Sequence, residues 1–167
     1  VLRDREFRPF LKSFKSRCSM VMTSHVVVTA IDKEFPATLS KKVLTDLLRK
    51  DLRYSRIIIT DDMEMKAITD HFGAEEAPRL AIEAGCDLLV YRSEAGARHA
   101  YASVLKALEE GRLSPDIVLQ AATRLKEHKR EALGAYHAVN VTEVGQKVGI
   151  PEHQALVERV LAAAQTI

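Results

Sequence analysis

Two adjacent carboxylates, Asp61 and Asp62, follow directly on the run Ile57-Ile58-Ile59-Thr60. A short unbroken β-branched run reads as a strand buried on both faces, the kind found in parallel sheets. Such sheets gather their chemistry at the carboxyl ends of the strands, where loops leave toward one common face. Asp61 and Asp62 stand at that end. One aspartate there has an ordinary job, because an Asp ahead of a helical stretch accepts backbone N–H bonds. Two in succession leave one carboxylate over. A spare ionised carboxylate can serve as a covalent nucleophile or, with further oxygen ligands, can hold Mg²⁺.

The elements that must position this pair alternate along the chain. Phe7, Phe10, Leu11 and Phe14 recur at helical spacing and predict an amphipathic helix over 4–16. A first strand is expected at 19–24, with His25 at its carboxyl end, followed by a loop carrying Asp32 and Pro36. Ser40 suits a helix N-cap, with Leu39 and Leu44 as a hydrophobic staple. Val43, Leu44, Leu47, Leu48 and Leu52 then form the buried stripe of a helix over 41–52. After the strand at 56–60, Phe72-Gly73 interrupts the chain, 75–84 is helical, and Gly85 fits a left-handed helix end. A third strand is expected at 87–91. Helix 95–110 should turn Ala97, Ala100, Tyr101, Val104, Leu105 and Leu108 inward, and Ser114-Pro115-Asp116 opens a helix running to about 132. From Gly134 to Pro151 the chain is turn-rich, and a last helix over 152–165 should bury Leu156, Val157, Val160 and Leu161.

Strands separated by helical crossovers of this length form right-handed parallel units. Three strands do not close a barrel, which takes eight. The pattern alone therefore fits either an open α/β domain or the later units of a larger barrel.

Composition removes several function classes. The 167 residues are 47% hydrophobic and 29% charged, which fits neither a disordered chain nor a membrane-spanning one. The net charge of +2 is dispersed, against a nucleic-acid partner. Its one basic cluster, Arg124 to Arg130, reads as a solvated helix face. Cys18 and Cys86 each precede a strand as buried thiols, with no disulfide framework and no metal knuckle. That usage suits a reducing, cytoplasmic setting.

Four words in order, Met22-Thr-Ser-His25, Pro36-Ala-Thr-Leu-Ser40, Ile58-Ile-Thr-Asp-Asp-Met-Glu-Met65 and Ala84-Gly-Cys-Asp-Leu-Leu89, resemble the carboxyl-terminal part of the catalytic barrel of glycoside hydrolase family 3. The resemblance covers about residues 5–130. It is nearest the β-N-acetylhexosaminidases that release N-acetylglucosamine from muropeptides. It implies a parallel β/α fold, the later part of a TIM-type (β/α)8 barrel, incomplete in this chain. Residues 1–133 would be those β/α units, and 134–167 a turn-rich segment plus a terminal helix packing on the barrel.

The resemblance also implies a retaining glycosidase that needs neither cofactor nor metal. Its nucleophile carries over to Asp61, whose attack on the anomeric carbon gives a covalent glycosyl-enzyme. His25 and Met63 are the residues expected at the sugar, while Asp62 caps the next helix or braces the site. Two departures stand out. The family's acid/base histidine lies in a Gly-His-Gly-Asp context, and none of His25, His71, His99, His128, His137 or His153 has that setting. The expectation is a chain that keeps the nucleophile without its proton donor, is close to inactive alone, and needs a missing upstream barrel half or self-association. The family's Gly-Phe-x-Gly turn before the nucleophile strand is replaced by Arg53-Tyr-Ser-Arg56, which predicts backbone strain there. The alternatives are a catalytically dead carbohydrate-binding or scaffold remnant, and a Mg²⁺-binding α/β signalling domain. A third strand ending Tyr91-Arg92-Ser93 serves the last of these poorly.

Overall fold

A computed structural model describes residues 2–134 and 139–164. Three strands, β1 (Met20–Met22), β2 (Ile57–Asp62) and β3 (Leu88–Val90), form a parallel sheet in the order β1-β2-β3. β2 is the middle strand. Its apolar run places Ile57 and Ile58 fully inside, as the sequence requires. Residues 1–132 form one compact unit and 133–167 another.

Each crossover is built by identifiable residues. Ahead of β1, Leu2–Glu6 makes a wide helical turn and α1 (Arg8–Lys15) follows. Phe14 of α1 lies against Tyr54 with ring centroids 4.5 Å apart, while Phe10 of the expected stripe is half exposed. Between β1 and β2, helix Lys42–Asp51 is wound wider than an α-helix. Ser40 caps it by accepting the Val43 amide at 3.2 Å and donating to Asp32 at 2.7 Å. Burial works to raise the Asp32 carboxyl, but the Ser40 hydroxyl, the Glu34 amide and Lys42 outweigh it and hold it below its ordinary value.

Between β2 and β3 runs α2 (Lys66–Ala84), whose two stretches meet at Gly73 (φ 71°, ψ 155°), a conformation open to glycine. Pro78 lies inside the second stretch and supplies no N–H to the helix there. Gly85 ends the helix at φ 124°. α3 (Glu94–Glu109) and α4 (Pro115–Leu133) complete this unit. The core joins Leu39, Leu44, Tyr54, Ile58, Met63, Ile68, Ala77 and Ala81 between the sheet and these helices.

Two expected faces differ from the structure. In α3 the buried residues are Ala100 and Ala107, whereas Tyr101 is 71% exposed and Leu105 is exposed as well. The helix approaches its neighbours through alanines, and large side chains do not fit that close contact. In the second unit, α5 (Val141–Lys147) is capped by Asn140, and α6 (Pro151–Ala164) carries Leu156, Val157, Val160 and Leu161 exposed rather than buried. His137 lies outside the described residues.

Candidate active site

β2 does not end as a regular strand. Ile59 pairs with Leu88, and the next pair is Asp62 with Val90, so β2 uses one residue more than β3 across the same interval. The Val90 amide is taken by the buried Thr60 hydroxyl at 2.9 Å. A bulge re-aims side chains at a strand end, and here it falls on Asp61. Burial changes at the same place, from the fully buried Thr60 to the half-buried Asp61. Asp61 Oδ1 accepts the Asp62 amide at 2.7 Å, which fixes the carboxylate. Its Oδ2 has no hydrogen-bond partner among the described residues. Asp62 turns elsewhere. Its Oδ1 accepts the Glu64 amide at 2.9 Å, closing a turn rather than capping α2, whose N-cap is Met65 without a side-chain bond.

His25 and Met63 lie beneath this turn. His25 Nε2 is 2.9 Å from the Asp62 carbonyl, which only accepts, so Nε2 carries the proton. Nδ1 lies 2.8 Å from the Thr38 hydroxyl, which is 2.8 Å from the Thr23 hydroxyl and donates to the Ser24 carbonyl at 3.0 Å. Both ring nitrogens are spent inside the chain, holding the backbone beside Asp61. Met63 is 3% exposed in the core, and its amide donates to Val90 at 2.9 Å.

Glu64 ties the turn to the start of α3. Its carboxylate accepts the Ser93 amide at 2.8 Å and the Ser93 hydroxyl at 2.7 Å, and Ser93 Oγ accepts the Gly96 amide at 3.0 Å. The Ser93 hydroxyl and amide hold the Glu64 carboxyl below its ordinary value of 4.5. Nearby, burial pushes the Tyr91 phenol up to about 12, so it stays protonated. A cavity of about 570 Å³ opens beside the turn, lined by Glu64, Tyr91, Arg92 and His99.

Two expected outcomes follow for this tie. A depressed carboxyl stabilises the fold above its ordinary value and loses that contribution as pH falls through the lowered one. The protection factor of the Ser93 amide, its exchange rate corrected for the intrinsic pH dependence, should therefore fall below pH 4.5 and hold steady above it. A Cβ on Gly96 would lie 2.8 Å from the Glu64 carboxylate, the movable end of a flexible side chain. Gly96→Ala should free Glu64 from Ser93, while alanine returns about 1 kcal/mol of helix propensity. Thermal unfolding should then shift by only a few degrees while Ser93 exchange speeds up even at neutral pH. An unchanged exchange rate would show that Glu64 does not hold the turn.

Comparison with known proteins fixes the family. The model of the glycosyl hydrolase family 3 N-terminal domain matches residues 1–127. The chain belongs to glycosyl hydrolase family 3. Within it, the chain is similar to the β-hexosaminidase of Idiomarina loihiensis, 32% identical over 77% of this chain and 40% of that protein. It is 25% identical to β-hexosaminidase A of Pseudoalteromonas piscicida over 99% of this chain and 30% of that protein. Among solved structures it resembles a family 3 β-N-acetylglucosaminidase from Paenibacillus sp., with a TM-score of 0.79, 36% identity, and coverage of 94% of this chain and 30% of the other. The chain thus spans well under half the length of these relatives, on the hexosaminidase branch of the family.

In this family 3 chain the structure brings Asp61, His25 and Met63 to one turn. The sequence reading names these three and does not name Glu64, which stands in the same word. Also missed was a charged group at the opposite end of β2. The Asp87 carboxylate, with no exposed surface, accepts Arg49 at 2.6 Å, Arg124 at 2.8 Å and the Ile58 amide at 2.8 Å. Arg124, which the sequence places on a solvated face, is instead paired with the buried Asp87. Its spacing of four and seven to His128 and Glu131, one helical face, was the available signal. Among the described residues no group of three or more His, Cys, Asp or Glu side chains is placed to hold a metal ion.

Proposed function

We propose that this chain carries the nucleophile of a retaining β-N-acetylhexosaminidase acting on β-linked N-acetylglucosamine, as in peptidoglycan turnover. The observation that carries the reading is Asp61. It sits on a bulge at the carboxyl end of the central strand, one oxygen fixed and the other unengaged. That geometry suits in-line attack on an anomeric carbon. The Oδ2–C1 bond forms as the bond to the leaving oxygen breaks, and water later releases the sugar. His25 and Met63 serve the sugar site from beneath by fixing the Asp61–Asp62 backbone. The names of the hexosaminidase relatives support the sugar class.

The three parallel units are read as later units of a TIM-type barrel, completed by an upstream half or by a second copy. The Gly-His-Gly-Asp context of the acid/base is not in this sequence. Without leaving-group protonation about 10²–10⁴ in rate is forfeited, so the chain alone should barely turn over ordinary glycosides.

The test uses 2,4-dinitrophenyl N-acetyl-β-glucosaminide, whose leaving group departs without a proton. Intact-mass analysis should show one added N-acetylglucosamine residue, mapped by peptide sequencing to Asp61 and absent in Asp61→Ala. A label on Asp62 or Glu64 would move the assignment. Saturable sugar binding with no label would support the carbohydrate-binding remnant instead.

A further inference from the structure

We infer that the cavity at the amino-terminal ends of the strands, remote from Asp61, is a binding site for a phosphate dianion, free or as a phosphomonoester, gripped by Arg17 and Arg53 beside Arg56 and Arg124. The cavity holds about 340 Å³, room for a phosphate with an attached ester group.

The argument begins with backbone conformation. Among the described residues, the two non-glycine positions in the left-handed region are Arg17 (φ 59°) and Arg53 (φ 55°). Both line this one cavity. Each follows a helix end, where the Cys18 amide bonds back to Ser13 and the Tyr54 amide to Leu48, and a residue with a Cβ pays for the left-handed position that glycine usually fills. The resemblance to family 3 expects a Gly-Phe-x-Gly turn at 53–56, and a glycine at 53 would adopt this φ without strain. The chain has arginine at both ends of that turn, and both line the cavity.

Charge gives the ligand. Arg56 is already paired with Glu131 at 3.0 Å, and Arg124 with Asp87 at 2.8 Å. Those two guanidiniums are anchored. Among the described residues, the Arg17 and Arg53 side chains make no hydrogen bond or ion pair, and Arg17 reaches Glu131 only through space. Four guanidiniums face the two carboxylates Glu127 and Glu131, with His128 alongside. Behind them Asp87 is shared with a further arginine, Arg49, so it does not cancel the excess. Two positive charges stay unmatched, the charge of one phosphate dianion. Guanidinium forks grip such tetrahedral oxyanions bidentately, with bonds stronger than neutral ones.

The experiment titrates the chain with inorganic phosphate and with phenyl phosphate at matched ionic strength, chloride being the reference. Calorimetry and thermal unfolding supply the two readouts. Wild type should show one saturable site and a phosphate-dependent rise in unfolding temperature. Arg53→Gly should unfold at a higher temperature than wild type without phosphate, because strain is relieved, yet bind phosphate about tenfold more weakly or worse. Arg53→Asn, which tolerates the left-handed region without a charge, should repeat the binding loss. Tighter binding of phenyl phosphate than of phosphate would identify an ester as the ligand, and equal binding the free ion. A wild type with no saturable site, or variants that bind as wild type does, would overturn the inference. The outcome is independent of whether Asp61 is a nucleophile.

Discussion

Given 2,4-dinitrophenyl N-acetyl-β-glucosaminide and azide, the wild-type chain should release the β-glycosyl azide. Asp61 attacks from below and leaves an α-linked glycosyl-aspartate, so a second nucleophile must arrive from above and restore the β configuration. Azide needs no general base and dinitrophenolate needs no general acid. The pair therefore bypasses the two proton transfers for which this sequence offers no recognisable histidine. In Asp61→Ala the β product should fall on the order of 10⁴–10⁶ in rate, the scale for loss of a covalent nucleophile. Any azide product that remains should be α, formed by direct displacement through the space the carboxylate vacated. Asp62→Ala should keep the β product at reduced rate, because Asp62 holds the turn through the Glu64 amide. Undiminished β-azide from Asp61→Ala would overturn the assignment and point to the substrate's own acetamido group as nucleophile.

What the sequence made legible is what lies close together along it. The three isoleucines and the aspartates after them state a buried strand with a reactive end. Ser40 declares a cap, and Gly85 a helix stop. The missing glycines before β2 announce a strained turn, and Arg53 occupies the left-handed region at that turn. The family resemblance alone singled out Asp61 from Asp62, because both aspartates suit a turn by type.

Illegible were contacts that require knowing which elements meet. Glu64 carries no signal of its own in the sequence, and its partner Ser93, 2.7 Å away, comes from beyond β3. Tyr101 and Leu105 follow helical periodicity, yet Ala100 and Ala107 face inward, because interhelical distance rather than hydrophobicity chose the face. Asp87 sits in a sequence word that suggests only a strand entry. Its two arginines come from helices 38 residues before it and 37 after it. No local period reports so distant a pairing.

That buried group should govern the stability of the first unit. Asp87→Asn preserves shape while removing a charge that has no exposed surface. Arg49, 14% exposed, and Arg124, 28% exposed, would then face each other without a counter-ion. Burial already pulls Arg49 below its ordinary value, with Asp87 opposing that pull. Breaking a buried ion pair by removing one partner costs about 3–5 kcal/mol, because the remaining charge is uncompensated. For a unit of this size that amounts to roughly 10 °C or more in unfolding temperature. Adding Arg49→Met to Asp87→Asn removes one of the two stranded charges, so the double variant should be less destabilised than the two single losses summed. Urea unfolding followed by circular dichroism measures both. Should Asp87→Asn unfold within about 1 kcal/mol of wild type, or the double variant prove additive, the carboxylate would be merely one more hydrogen-bond acceptor for the Ile58 amide. The cost is expected at this end of β2 because Asp87 ties three separate segments to the strand that delivers Asp61: helix Lys42–Asp51, the entry to β3, and α4.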